Sequence, residues 1–240
     1  MKILDALLST LNFEADVRDI HQGRFQTAVV TRHCGLASTP HEQGHHQDAP
    51  PVKGAGILLG KGALEIAQMA YSLSLLEAAI GMAAINSLLE VDEGRCFALN
   101  AGDLLAKKGK GKKVALIGHF PFVFQLRQVV KELWVIERHP REEDFAEIEA
   151  ESLVPQADIV AITGMTFTNH TIEGLLSICR PEAYVIILGP TAPLSPILFQ
   201  YGVDAVSGTK VVDPEAVLRG VSQGATFRQL KGIRLLTMER

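Results

Sequence analysis

Apolar positions change rhythm about half-way along the chain. The opening segment "MKILDALLSTLNFEADV" repeats at helical spacing. "DVRDIHQG", "RFQTAVVTRH" and "CGLAST" then read as short strands around turns, the first turn carrying Gly23. A polar stretch runs through Pro50 and Pro51, and "GKGALEIAQMA" and "LSLLEAAIGMAAINSLLE" return to helical period. Strands followed by helices without alternation predict an α+β unit over residues 1–107. Beyond the charged run "AKKGKGKK", read as a solvated linker, short apolar runs alternate with helical ones. "KVALIG", "LWVIE", "DIVAITG", "YVIILG" and "DAVSG" are the strands. "PFVFQLRQVVKE", residues 142–151, "TIEGLLSIC", "SPILFQY" and "DPEAVLRGVSQG" are the helices. That alternation predicts right-handed crossovers and a five-stranded parallel sheet over residues 108–240, a Rossmann-like α/β unit with strand order 3-2-1-4-5.

Composition narrows the class. A chain of 240 residues that is 47% hydrophobic can bury a core without covalent staples. The net charge of −4 argues against nucleic acid as the main partner. Cys34, Cys96 and Cys179 are scattered and odd in number, which suits a reducing cytoplasm. Residues 66–89 are apolar enough to imitate a membrane span, but Glu77 and the Ser, Gln and Asn residues fit two packed helices broken near Ser72. Glu77 and Asn86 lie nine positions apart, about 180° around a helix, so a straight helix cannot aim both into one pocket. The apolar helices also offer a surface for a homodimer.

"HEQGHH" at 41–46 spells the His-Glu-x-x-His of zinc peptidases, with Glu65 at the distance of a third ligand. Gly44 inside the motif, Pro50 and Pro51 after it and the lack of an apolar face argue against the packed helix that this chemistry needs. The segment reads as a surface loop. At most His41, His45 and His46, with His33 and Cys34, make a metal-carrier site.

Chemistry is expected past the carboxyl ends of the parallel strands. There stand Gly118, His119, Phe120 and Pro121; then Glu137; then Gly164, Thr166, Asn169, His170 and Thr171; then Gly189, Pro190 and Thr191; and Lys210. In the expected order the first and fourth strands flank the crevice, so "GHFPF" and "GPTAP" face each other. The first turn lacks the Gly-x-Gly-x-x-Gly that lets backbone approach a pyrophosphate, since Phe120 and Val123 replace two glycines and Pro121 removes an amide. Dinucleotides are therefore disfavoured. Glu137, 19 residues after Gly118, leaves open a ribose contact and an S-adenosylmethionine- or nucleotide-using transferase. His119 is a candidate for ligand contact or proton transfer, and His119 and His170 are candidate metal ligands. Asn169 or Thr171 also reads as a helix N-cap.

"GMAAINSLL", "VALIGHFPFV", "AITGMTFTNHTIEGLL" and "LGPTAPLSPILFQYGVDAVSGTKVVDP" together resemble a family described as putative heavy-metal chelation. The resemblance implies an enolase-N-terminal-like domain followed by a Rossmann-like domain, a site between them and a divalent or heavy metal ion or its complex as ligand. The expectation is a cytoplasmic protein binding a small molecule or metal complex in an interdomain cleft.

Overall fold

The computed structural model describes residues 1–40 and 51–240. "HEQGHH" therefore lies outside the described residues, and with it His41, His45 and His46.

The chain opens with α1 (Lys2–Ser9), whose Ile3, Leu4 and Leu7 are buried. Three antiparallel strands come next, β1 (Asp19–Gln22), β2 (Gln26–Val30) and β3 (Cys34–Ser38), in the order β1-β2-β3. They lead to α2 (Ala63–Gln68), a 3-10 turn at Met69–Tyr71 and α3 (Leu75–Leu88). The expected break falls at Ser72, whose backbone is extended, and Ser74 caps α3. No helix among the described residues is long and apolar enough to cross a membrane.

The rest of the chain builds β4 (Cys96–Phe97), α4 (Ala101–Gly109), β5 (Lys113–Ile117), α5 (Val123–Arg127), β6 (Glu132–Glu137), β7 (Phe145–Ala146), α6 (Ala150–Leu153), β8 (Ile159–Thr163), α7 (Met165–Thr168), α8 (Ile172–Ser177), β9 (Tyr184–Leu188), β10 (Ala205–Val211), α9 (Pro214–Ser222) and β11 (Ile233–Glu239). These strands form one eight-stranded sheet, ordered β4-β11-β10-β9-β8-β5-β6-β7. The protein is thus a mixed α/β fold: a large, mostly parallel sheet and a separate three-stranded antiparallel one.

Four expectations change. The expected parallel strands are all present, but their order is 2-1-3-4-5 rather than 3-2-1-4-5. β5 pairs with β8, Ile117 opposite Ile162, so the first strand lies beside the third and not the fourth. Periodicity cannot fix which neighbour a doubly buried strand takes, because both flanks are equally apolar. Residues 233–239 carry no predicted element, yet β11 pairs antiparallel with β10 over its whole length. Residues 142–151 are helical only at their end: Phe145–Ala146 pairs with β6, and a 3-10 turn at Glu147–Glu149 precedes α6. The charged run expected as a linker begins inside α4, and the turn comes at Gly111, with φ of 71°.

Strand alternation divides the large sheet's two faces. Ala115, Ile117, Ile136, Val160, Ile162 and Ile187 face a core shared with α1, α2 and α3. Val114, Leu116, Val135, Ala161, Ile186 and Leu188 form a second core with Leu104 and Leu105 of α4 and Leu126 of α5.

α3 is apolar on all sides, which suits a helix enclosed by protein. Ile80, Met82, Ile85 and Leu88 are almost wholly buried, each contributing about 1.5–3 kcal/mol. Two glycines permit this enclosure. A Cβ on Gly81 would lie 1.9 Å from the Ala70 amide nitrogen, and one on Gly35 of β3 would lie 2.1 Å from the Ala83 carbonyl. The outer face of the small sheet is covered by α9, where Ala28, Val30 and Leu36 pack on Val217, Val221 and Leu230. The last α-helix of the chain thus closes a core begun by its second strand.

Candidate functional site

The ends of β5, β6, β8 and β9 open on a cleft of about 800 Å³, whose opposite side is lined by Ser38, Pro40 and Leu75 from the N-terminal part. Gly118, His119, Phe120, Glu137, Gly164, Thr166, Asn169, His170, Thr171, Gly189, Pro190 and Thr191 all line it. Pro121 does not and is exposed. Lys210 does not either. β10 continues past its neighbours, and the ammonium there binds Glu93 at 2.6 Å, a carboxylate that also takes Arg234. With β5 beside β8, "GHFPF" meets the "TGMTFTNHT" turn first: a Cβ on Gly118 would come within 3.0 Å of Thr163 Cβ. The Phe120 ring still reaches toward Gly189 and stacks on Phe122, ring centres 5.3 Å apart.

At the β5–β6 end the backbone reverses at Gly118, where φ of 102° suits glycine. The His119 amide donates to Glu137 Oε1 at 2.7 Å, and the Arg138 amide donates to Glu137 Oε2 at 3.2 Å. Glu137 thus fastens the turn. The His119 ring lies between two residues of the loop after β6: Nδ1 is 3.3 Å from Asp144 Oδ2, and Nε2 is 3.1 Å from Arg141 Nη1. A guanidinium only donates and a carboxylate only accepts, so this pairing describes a neutral imidazole with its proton on Nδ1. Asp144 Oδ2 also accepts from the Arg141 amide at 3.2 Å, and the Asp144 side chain is only 2% exposed. An imidazole oriented by a buried carboxylate is the pairing found in both general bases and metal ligands. Asp144 and Arg141 carry no signal in the sequence because they belong to a charge run, "REED", several residues past the strand end. Only the return of that loop over His119 gives them a role.

At the β8–β9 end the polar groups serve the backbone. His170 has φ of 62°, and its Nε2 donates to the Ala70 carbonyl at 2.9 Å. Thr171 takes the expected N-cap position of α8 without a side-chain cap bond, and Asn169 Oδ1 accepts from the Thr171 amide and hydroxyl. Thr166 Oγ1 donates to the Thr163 carbonyl at 2.8 Å. Thr191 Oγ1 accepts from the Ser38 amide at 2.9 Å, and Asn86 Nδ2 donates to the carbonyls of Leu36, Pro190 and Thr191. Asn86 therefore braces a cleft loop from α3, while Glu77 accepts from the Lys53 amide and the Ser72 hydroxyl. Gly164 is packed so closely that a Cβ there would fall 2.4 Å from the Ala192 amide nitrogen. Thr168, fully buried in the cleft wall, has a hydroxyl without a hydrogen-bond partner.

A bare metal ion finds little here. No group of three or more His, Cys, Asp or Glu among the described residues could hold one. The thiols are poor soft ligands, since burial pushes Cys34 up to about 12 and Cys179 up to about 11, away from the thiolate a metal needs. His33 is engaged with Glu90 at 3.2 Å, and Glu65 pairs with Lys61. These residues do not fit a directly ligated ion.

Residues 100–239 match the family model DUF364, described as "Putative heavy-metal chelation", and residues 4–89 match DUF4213, which has the same description. The chain belongs to this family. An uncharacterized protein of Methanocaldococcus jannaschii is 28% identical over 189 residues, which span 75% of this chain and 73% of the relative. Two crystal structures share the fold, both of DUF364 proteins of unknown function. The one from Desulfitobacterium hafniense has a TM-score of 0.83 at 24% identity, covering 100% of this chain and 98% of its own. The one from Pyrococcus horikoshii has a TM-score of 0.82 at 21% identity, covering 99% and 100%.

Proposed function

We propose that the protein binds a small molecule or a preformed metal complex in the cleft where the strand ends meet the N-terminal part. The observation that carries this reading is the convergence of four strand-end loops with Ser38, Pro40 and Leu75 on one volume of about 800 Å³. That size is typical of small-molecule sites, as is the placing of such sites beyond parallel strand ends. The walls combine apolar surface from Ile117, Phe120, Met165 and Leu175 with hydroxyls. The family description points to metal, and the lack of a three-ligand cluster among the described residues favours a metal that arrives already chelated.

The finer labels belong to the same proposal: an enolase-N-terminal-like unit to about residue 107, a Rossmann-like unit after it, a cytoplasmic setting and a homodimer. The apolar residues of α3 are buried within the chain, so a dimer would use other surfaces. An S-adenosylmethionine- or nucleotide-using transferase gains no specific support, because each Glu137 oxygen already accepts a backbone amide.

Native mass spectrometry and elemental analysis of freshly purified protein test the reading. A bound molecule should be recovered, and His119→Gln, which keeps a donor for Asp144, should reduce its occupancy. Recovery of nothing, together with no thermal shift with any metal-chelator complex offered, would reject it.

A further inference from the structure

We infer that Arg141 and His119 form a receptor for an anionic oxygen group, a carboxylate or a phosphate, carried by the ligand of the cleft. The inference rests on the cleft reading for its place and narrows the ligand to one chemical class.

Arg141 is exposed and does not itself line the cleft, which it reaches through its contact with His119. Among the described residues its guanidinium forms no ion pair, and its one described side-chain contact is the neutral Nε2 of His119 at 3.1 Å. A permanently charged group with five donors is thus held by a single uncharged acceptor. Glu142, the next residue, has no described partner, and three other nearby carboxylates are engaged. Asp144 takes the Arg141 amide and His119 Nδ1, Glu143 pairs with Arg127 at 3.6 Å, and Glu147 pairs with Arg138 at 3.3 Å. Glu137 accepts two amides, which leaves Glu151 as the carboxylate in the cleft lining with no described partner. The N-terminal side of the cleft contributes only the uncharged Ser38, Pro40 and Leu75.

A planar guanidinium beside a cleft matches the two oxygens of a carboxylate or phosphate, and such bidentate pairs are stronger than a bond to a neutral ring nitrogen. An anion at the His119 end would therefore draw Arg141 off Nε2. Asp144 would keep the ring in place through Nδ1, and the freed Nε2, an acceptor, would take a hydrogen bond from a protonated oxygen of the bound group, such as the hydroxyl of citrate or of hydrogen phosphate. This chemistry also fits the metal-complex reading, since common metal chelators bind through anionic oxygens.

The experiment uses the full chain, titrated separately with citrate and with inorganic phosphate. Calorimetry reads binding, and the imidazole nitrogen resonances of His119 read the departure of Arg141. At least one anion should bind and shift the Nε2 resonance, and the one that does identifies the group. Arg141→Gln, an exposed position that should leave folding intact, should weaken that binding about tenfold or more, as expected for a hydrogen-bonded charge. Arg127→Gln is the control for loss of a nearby positive charge and should change it little. No heat with either anion at millimolar concentration, or equal affinity in Arg141→Gln, overturns the receptor. The two readings can fail separately. A co-purified molecule retained by Arg141→Gln would leave the cleft proposal standing and remove the receptor. Arginine-dependent anion binding with nothing recoverable from the cleft, and no complex bound, would do the reverse.

Discussion

His119 and His170 line one cleft from opposite ends and do different work. His170 donates to a backbone carbonyl of the N-terminal part, and around it Thr191, Ser38 and Asn86 make similar bonds that join the two parts of the chain. His119 is held by side chains, Asp144 on one nitrogen and Arg141 on the other. Backbone bonds of the first kind fix a wall. Charged side chains from an exposed loop can be exchanged for those of a ligand. The β8–β9 end is thus mainly scaffold, the enclosed Thr168 hydroxyl aside, and the β5–β6 end is where exposed charge remains.

Substitutions can break this contrast, the largest effect first. Gly164→Ala should destabilise the protein by about 1–3 kcal/mol, the usual cost of overpacking. Its φ of −59° suits any residue, so the loss would come from the collision with the Thr191–Ala192 backbone alone. Chemical denaturation measures it, and an unchanged midpoint would show that the two loops are not locked together. Asn86→Ala should cost about 1–2 kcal/mol by the same measurement, because it strips donors from carbonyls of both parts of the chain. Thr168→Val should act in the opposite direction. Removing a buried hydroxyl that has no partner should raise the stability of the protein by about 1 kcal/mol. A loss of stability instead would mean the hydroxyl already has a partner, such as bound water.

Acid should have the smallest and most distributed effect. The Lys113 amide and then Arg180 hold the Asp158 carboxyl below its usual range, and Tyr184 and Lys108 do the same for Glu239. A carboxyl lowered by folding contributes stability above its unfolded range, and that contribution is lost as pH falls through the folded value. Stability should therefore be flat at neutral pH and decline only below the ordinary carboxylate range. The two side chains are 35% and 34% exposed, so added salt should shrink the effect. Asp158→Asn should flatten part of the decline in an acid titration monitored by circular dichroism.

Much of the cleft was legible because chemistry at parallel strand ends is a consequence of topology. The residues just past each apolar run include Gly118, His119, Glu137 and the "TGMTFTNHT" turn, all of which line it. Lys210 failed the same rule because β10 runs on to pair with β11, an antiparallel partner outside the alternating pattern. Asp144 and Arg141 gave no local signal, since they act on His119 from a loop whose sequence reads as surface charge. Asn86 was weighed as a pocket residue but braces the Pro190–Thr191 loop instead.

The amino-acid sequence alone determined most of the elements, the parallel run of five strands and the break at Ser72, since periodicity, turns and caps are local properties. Tertiary structure alone decided that β5 lies beside β8, that α9 covers a sheet begun nearly two hundred residues earlier, and that a loop after β6 returns to grip His119. The reason is physical. Buried strands are interchangeable in composition, so neighbours are chosen by the summed packing of distant segments, which no stretch of sequence contains by itself.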